Sequence, residues 1–443
     1  MRSLIDLRAH AGEIFFAGLS TVDPFAAIKR EVQRQGDQLH VGERIYNLNQ
    51  FQRIFVTGCG KAAARMALAM EELIGDRLAG GIVVVKYGHG LKLEITEVIE
   101  AGHPVPDDAG LDGARRIAEL LQACDENDLV FFLLSGGGSA LLPYPAEGLS
   151  LADKQRTTEE LLKCGANIFE INAVRKHLSR LKGGQLARLA APARLISLVL
   201  SDVIGDSLET IASGPTVPDS STYSDCLDVI HRYELTTEIP LAVLDYLECG
   251  ARGEIAETPK DSGGIFERVQ NVIVGNIRIA ISSARRRAEE LGYHTTVFSE
   301  AIQGESRFVA RSFSSLLKEI ATKDQPISRP ACVIAGGETT VTIRGDGMGG
   351  RNQEFALSAA IELSGVNHVV VLSAGTDGTD GPTDAAGAIV DSKTVERAIT
   401  QGLDPAAFLG KNDSYHLLQA THDLLFTGPT LTNVMDLQVG LVA

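Results

Sequence analysis

The sequence predicts an α/β fold in two domains, an N-terminal parallel sheet and a C-terminal mixed sheet. Three observations carry this. Short, wholly apolar runs such as DLVFFLL at 128–134 read as strands buried on both faces. Helical stretches alternate with them, as in βα units wound about a parallel sheet. A polar stretch without periodicity at 248–270 interrupts the alternation before a second series begins, which places the domains at 1–245 and 246–443.

The first forty or so residues read as helical. Asp23-Pro24 is a start signal for a second helix through Arg34. Which domain this segment joins is open. RIFVT at 53–57 is a strand that turns through Gly58-Cys59-Gly60-Lys61 into an Ala-rich helix. Strands at 81–85 and 95–100 follow, then a helix at 110–124. The strand 128–134 ends in Ser135-Gly136-Gly137-Gly138-Ser139. Helical stretches include 173–190, and the strand 195–200 ends in Ser201-Asp202. The second series is expected to start with the strand Asn271–Gly275. It continues with a strand at 293–299, a helix at 305–322 and strands at 331–335 and Thr339–Arg344. The alternating, β-branched character of 338–343 is the reason for expecting a mixed sheet. A helix at 352–364, a strand at 368–374 and a closing strand at 434–442 complete the chain.

The bulk properties exclude several classes. With 443 residues the chain has room for two or three domains. Its formal net charge of −16 argues against nucleic acid and against an anionic membrane surface. Any anionic ligand must therefore be held by local groups. No apolar run reaches ~18 residues, and MRSLIDLRAHAGEIFF lacks an apolar h-region, so neither a membrane span nor a signal peptide is expected. The six cysteines form no C-x-x-C pair, which reads as reduced thiols in a cytoplasmic protein.

Five loops could carry chemistry. Gly58-Cys59-Gly60-Lys61 between strand and helix aims free N–H groups at an anion. It also fits the dinucleotide fingerprint, but the next strand ends at Val85-Lys86-Tyr87 with no acid for the ribose. A tight turn that needs glycine for packing explains the glycines equally well, and Lys61 at the turn tilts the reading towards phosphate. Three glycines in a row at 136–138 exceed what a turn requires and favour a ligand close to the backbone. Asp202, after a buried strand, is either a base or cation-handling carboxylate, or the cap of the next helix. Arg351 follows Gly349-Gly350 at a helix start, where it can clamp phosphoryl oxygens. Asp377 and Asp380 in Gly375–Gly381 either hold Mg2+ with substrate phosphates or form a polar turn; the EF-hand pattern is incomplete. Ser135 lacks a recognisable His and acid, so a serine hydrolase is disfavoured.

Read in order, these segments resemble the type II glycerate kinase family, whose members are sometimes labelled hydroxypyruvate reductases. The resemblance rests on GCGKAAARM at 58–66, HPVPD at 103–107, LSGGGSALL at 134–142 and NAVRKHLSRLKGGQLA at 172–187. It continues through LSDVIGD at 200–206, ASGPTVPD at 212–219, GGETTVTIRGDGMGGRNQEFAL at 336–357, SAGTDGTDGPTDAAGAIVD at 373–391 and LLFTGPTLTNVMDLQV at 424–439. It implies a Rossmann-like α/β/α N-terminal domain, a C-terminal α/β/α domain and an active site in the interdomain cleft. It also implies ATP- and Mg2+-dependent phosphorylation of D-glycerate at its 2-hydroxyl. By the same resemblance Lys61, Asp202 and Arg351 are catalytic. Substrate contacts are expected from Ser135, Gly136, Gly137, Gly138, Ser139, Asn172, Arg175 and Lys176. Nucleotide contacts are expected from Gly58, Gly60, Gly336, Gly337, Glu338, Gly349, Gly350 and Asn352, and metal contacts from Asp377 and Asp380. A NAD(P)H-dependent hydroxypyruvate reductase and a non-catalytic sugar-phosphate-binding module are the rival readings. The assembly state is open, a homodimer included.

Overall fold

Residues 32–47 turn back on themselves twice. Val32–Gln35 (β1), Gln38–Val41 (β2) and Arg44–Asn47 (β3) form a small antiparallel sheet, with Gly36 and Gly42 taking positive φ at its turns. The helix expected through Arg34 therefore ends at Glu31. The computed structural model describes residues 2–261 and 264–443, so residues 262 and 263 of the polar stretch 248–270 lie outside the described residues.

The chain divides into two compact units, Pro24–Val274 and Met1–Asp23 with Gly275–Ala443. The expected boundary at 245/246 falls inside the helix Leu241–Ala251 of the first unit. The helix Leu4–Thr21 belongs to the second unit, where Gly18 lets it close on Leu437 and on Ala280 of the helix Ile277–Glu290.

The first unit is built on Arg53–Cys59 (β4), Leu78–Lys86 (β5), Thr96–Ala101 (β6), Asp128–Leu134 (β7), Arg194–Leu200 (β8) and Val269–Gly275 (β9). Their order is β6-β5-β4-β7-β8-β9, and β6/β5, β5/β4, β4/β7 and β7/β8 all pair in parallel. Every residue of β7 is buried, as its apolar run requires. β9 was expected to open the second series. It instead closes this sheet, because the helices and turns after β8 return the chain to the β8 edge. The helical stretch 173–190 is broken. A helix runs Ile168–His177 and another Gln185–Ala190, with Gly183 and Gly184 at positive φ between them. Helices Leu151–Lys163, Ile168–His177, Tyr223–Arg232 and Leu241–Ala251 share a separate core around Leu161, Val174, Ile230 and Leu247.

The second unit contains His294–Ile302 (β10), Ala331–Gly337 (β11), Val369–Gly375 (β12), Gly387–Asp391 (β13), Leu424–Leu425 (β14) and Asp436–Val442 (β15). Their order is β10-β11-β15-β12-β13-β14. Only β10/β11 is parallel and the other pairs are antiparallel, so the sheet is mixed. One face of β15 meets Leu4–Thr21 at Leu437, and the other meets Phe313 and Leu317 of Ser306–Lys323 at Gly440. The strand expected at Thr339–Arg344 does not form. Both neighbours of β11 are taken, and side chains staple the segment instead: Thr342 N–H donates to Glu305, and Arg344 N–H to Asn412 Oδ1. Ile343 stands 80% exposed. Among the described residues, no single helix is long and apolar enough to cross a membrane.

Candidate functional site

In the parallel sheet the chain runs outward from β4 through β5 to β6, then restarts at β7 and runs the other way. The carboxyl ends of β4 and β7 flank this switch point, where open α/β sheets hold ligands. The two loops there interlock. Ser135 N–H donates to Cys59 O (3.1 Å), Lys61 N–H to Gly136 O (2.9 Å) and Ala62 N–H to Ser135 Oγ (3.0 Å). Their glycines are dictated by that fit. A Cβ on Gly58 would strike Leu133 O, and one on Gly60, at φ +124°, would strike Ser135. Gly137 sits at φ +87°, and a Cβ there would lie 2.9 Å from the His103 ring. Of the two explanations for Gly58 and Gly60, close packing is therefore sufficient.

A cavity of about 500 Å3 opens over these loops. The Ser135–Ser139 segment, Arg175, Asp202 and His103 line it. Val203 rather than Asp202 occupies the cap position of the short helix Ile204–Asp206. Burial, with Lys61 and Lys86 adding to it, pushes the His103 imidazolium down to about 4, so the ring is neutral at neutral pH. Three cations share the cavity: Lys154, Arg175 and Lys182. Lys182 Nζ donates to Ser139 O (2.7 Å), and burial drives its ammonium down to about 7. Burial also lowers Arg175 and Lys154, the latter well below the ordinary lysine value.

Of the expected substrate residues, Asn172 and Lys176 stand behind the cavity. Asn172 Oδ1 accepts from Ser213 Oγ (3.0 Å), which meets Ser139 Oγ at 3.3 Å, so Asn172 steadies the loop. Lys176, expected as a substrate contact, is engaged by the protein itself. Its ammonium is buried 3.0 Å from Asp219 Oδ1, and Asp219 also accepts from Ser221 and Thr258. One helical position separates it from Arg175 and turns its charge into the protein interior. His103, Lys154 and Lys182 escaped the sequence reading as site residues. HPVPD and RKHLSRLKGG were visible motifs, but nothing local tells which of their cations face a ligand. Lys154, in the polar helix LADKQRTTEELLK, looks solvated in sequence.

In the second unit β15 runs antiparallel between β11 and β12, so its first residue, Asp436, lies opposite Gly337 and Gly375 at their carboxyl ends. Arg351 opens the helix Arg351–Glu362 and donates to both oxygens of buried Asp436 (2.6 and 2.9 Å). Its third arm reaches Glu338 at 2.7 Å. The guanidinium stays charged under these carboxylates although burial opposes it. Gly336, Gly349 and Gly350 are packing glycines, since a Cβ would collide with Ile277, Ser414 and Asp380 respectively; one on Gly337 would stand 2.5 Å from Ile302 N and O.

Asp380 was expected to bind metal. Its Oδ1 instead accepts from Asn352 N–H (3.0 Å) and its Oδ2 from Gln353 N–H (2.8 Å), so it caps the helix from a neighbouring loop. Burial, with Asp436 adding to it, raises its carboxyl to about 7, while these N–H groups hold the rise in check. Asn352, expected as a nucleotide contact, is buried against Asp380 and Ser373. Asp377 is half-buried, and its Oδ1 accepts from Thr379 N–H. Among the described residues no three His, Cys, Asp or Glu side chains cluster as a metal centre. Mg2+ held with substrate phosphates needs only one or two carboxylates. Asp377 fits that requirement and Asp380 does not.

A doubly wound sheet with a cavity lined by Lys154, Arg175 and Lys182 at its switch point defines an α/β protein with a candidate ligand site at its strand ends. Residues 10–248 match the family described as "Domain of unknown function (DUF4147)", and residues 331–436 match the MOFRL family. The chain is 45% identical to the D-glycerate 2-kinase of Thermotoga maritima, over 94% of this chain and 96% of that one. It is 40% identical to the glycerate 2-kinase of Pyrococcus horikoshii, over 99% and 98%. The crystal structure of the Thermotoga maritima glycerate kinase matches with a TM-score of 0.89 at 43% identity, covering 99% of this chain and all of that one. The chain belongs to the glycerate kinase family, and it is an enzyme of the kinase class.

Proposed function

We propose that this protein transfers the γ-phosphoryl group of ATP to the 2-hydroxyl of D-glycerate, giving 2-phosphoglycerate. The observation that carries this reading is the cavity at the β4/β7 switch point, in a chain of this family. It combines cations for the acceptor's carboxylate with two carboxylates, Glu159, which is paired with Lys163, and Asp202, suited to a hydroxyl. Phosphoryl transfer asks a protein mainly to position groups and neutralise charge. Asp202 orients the 2-hydroxyl and accepts its proton. Lys61 stabilises charge on the transferring group, and Arg351 binds phosphoryl oxygen by exchanging a carboxylate partner for it. Asp377 would hold Mg2+. Bound there with ATP, the ion would neutralise phosphate charge.

The reductase reading lacks a dinucleotide site: β5 ends at Lys86, where an acidic residue would have to accept the ribose hydroxyls. The six cysteines are free thiols, which supports a reducing, cytoplasmic setting. The test is to incubate the protein with ATP, Mg2+ and D-glycerate and identify the product by phosphorus NMR. 2-Phosphoglycerate supports the proposal. 3-Phosphoglycerate overturns the regiochemistry, and no ADP above background overturns the activity. NADH consumption with hydroxypyruvate would favour the reductase, and ligand-induced thermal stabilisation without turnover the binding module.

A further inference from the structure

Lys154 stands apart from every other lysine of the described chain in what surrounds it. It is 8% exposed, and its Nζ has no hydrogen-bond partner among the described residues. The charges acting on it are those of Lys182 and Arg175, both of its own sign. It belongs to the helix Leu151–Lys163 and lines the switch-point cavity. Arg175 lines the same cavity with no hydrogen bond or ion pair among the described residues. The two acids nearest in sequence are committed elsewhere. Asp153 accepts from Ser150 at the start of the helix, and Glu159, which also lines the cavity, is paired with Lys163 at 2.6 Å.

Burying an ammonium without a counter-charge costs several kcal/mol. Burial therefore holds Lys154 well below the ordinary lysine value, and at a cavity wall next to an unpaired guanidinium a ligand's negative charge is the partner that restores its charge. Asp202 on the same wall selects among anions. It repels a polyphosphate, but it accepts a hydrogen bond from a hydroxyl. A ligand with one carboxylate and neighbouring hydroxyls satisfies both features.

We infer that Lys154 and Arg175 together form the seat for the carboxylate of the hydroxy-acid substrate. Lys154 supplies a point charge and Arg175 a two-pronged hydrogen bond. Lys182, tied to Ser139 O, holds the glycine loop beneath them. The inference rests on D-glycerate being the acceptor, and it adds Lys154 to the residues that touch it.

The experiment compares the full-length wild type with Lys154→Met and Arg175→Met. Calorimetry with D-glycerate, with glycerol and with inorganic phosphate reads binding without turnover, and steady-state kinetics reads KM for each substrate. The wild type should bind D-glycerate in preference to glycerol. Each variant should lose about tenfold or more in D-glycerate affinity, with KM for ATP unchanged. Lys154→Arg should recover part of the loss. Binding of D-glycerate to Lys154→Met within twofold of wild type overturns the inference. So does a rise in KM for ATP with KM for D-glycerate unchanged, which would make this a phosphate seat. Should Lys154→Met fail to fold, Arg175→Met carries the same comparison. A wild type that binds D-glycerate through Lys154 but does not phosphorylate it overturns the kinase assignment and leaves the seat intact. Normal turnover with an indifferent Lys154 does the reverse.

Discussion

In the parallel-sheet unit, Lys154 and Arg175 face a cavity without a carboxylate partner, while in the mixed-sheet unit Arg351 is gripped by Asp436 and Glu338. Both regions lie at strand ends, and both are rich in glycine. Their charge states differ because of topology. The parallel pair β4 and β7 brings two strand C-termini to the cavity loops. The antiparallel β15 delivers the start of a strand, and with it Asp436, to the ends of β11 and β12. One region is a preformed deficit of negative charge. The other is neutralised internally and must exchange partners to act on a phosphate. Cations that look alike in sequence thus divide into those held for a ligand and those held by the protein.

The contrast is open to direct attack through charge removal. The largest effect is expected at Lys176, whose pair with Asp219 is buried on both sides. Lys176→Met should cost about 3–5 kcal/mol in urea unfolding, since it strands a buried carboxylate. A cost near zero would break the assignment of Lys176 to the structural class. Arg351→Met should cost about 3 kcal/mol, at the lower end of the same range because Arg351 is 32% exposed, and should also abolish most turnover. Retained turnover would remove Arg351 from the chemistry. Lys154→Met should act in the opposite sense, raising stability by about 1–2 kcal/mol while substrate affinity falls. Destabilisation would mean that the lysine has a structural partner.

The smallest effect is protonic. Lys182 is held at about 7, so at pH 8 it is mostly neutral in the free protein. A bound anion favours the charged form and raises that value, so D-glycerate binding should take up a fraction of a proton at pH 8 and less at pH 6. Calorimetry in buffers of different ionisation enthalpy measures this. Proton release would contradict a carboxylate seat.

The same comparison shows how far the amino-acid string could be read. The wholly buried strands β7 and β12 were legible because their apolar runs leave no other placement, and the mixed character of the second sheet was correctly expected, although the strand taken as its sign, Thr339–Arg344, is a loop. The glycine loops were legible as close approaches. What approaches them was not: Gly60 is filled by Ser135, Gly350 by Asp380 and Gly137 by His103, all distant in sequence. Asp202 was found because a residue directly after a buried strand must lie at a sheet end. Lys154 was missed because a lysine in a polar helix is ordinarily solvated, and only the four-helix layer over the sheet buries it.

The sequence by itself determined two α/β units, a candidate site at strand ends and the family to which the chain belongs, since these depend on local pattern and ordered motifs. The tertiary structure decided that β9 closes the first sheet, that the helix Leu4–Thr21 packs in the second unit, and which cations remain uncompensated. Those outcomes depend on which residues far apart in the chain share a dielectric environment. Coulombic energy follows distance and burial, and neither is encoded in sequence spacing.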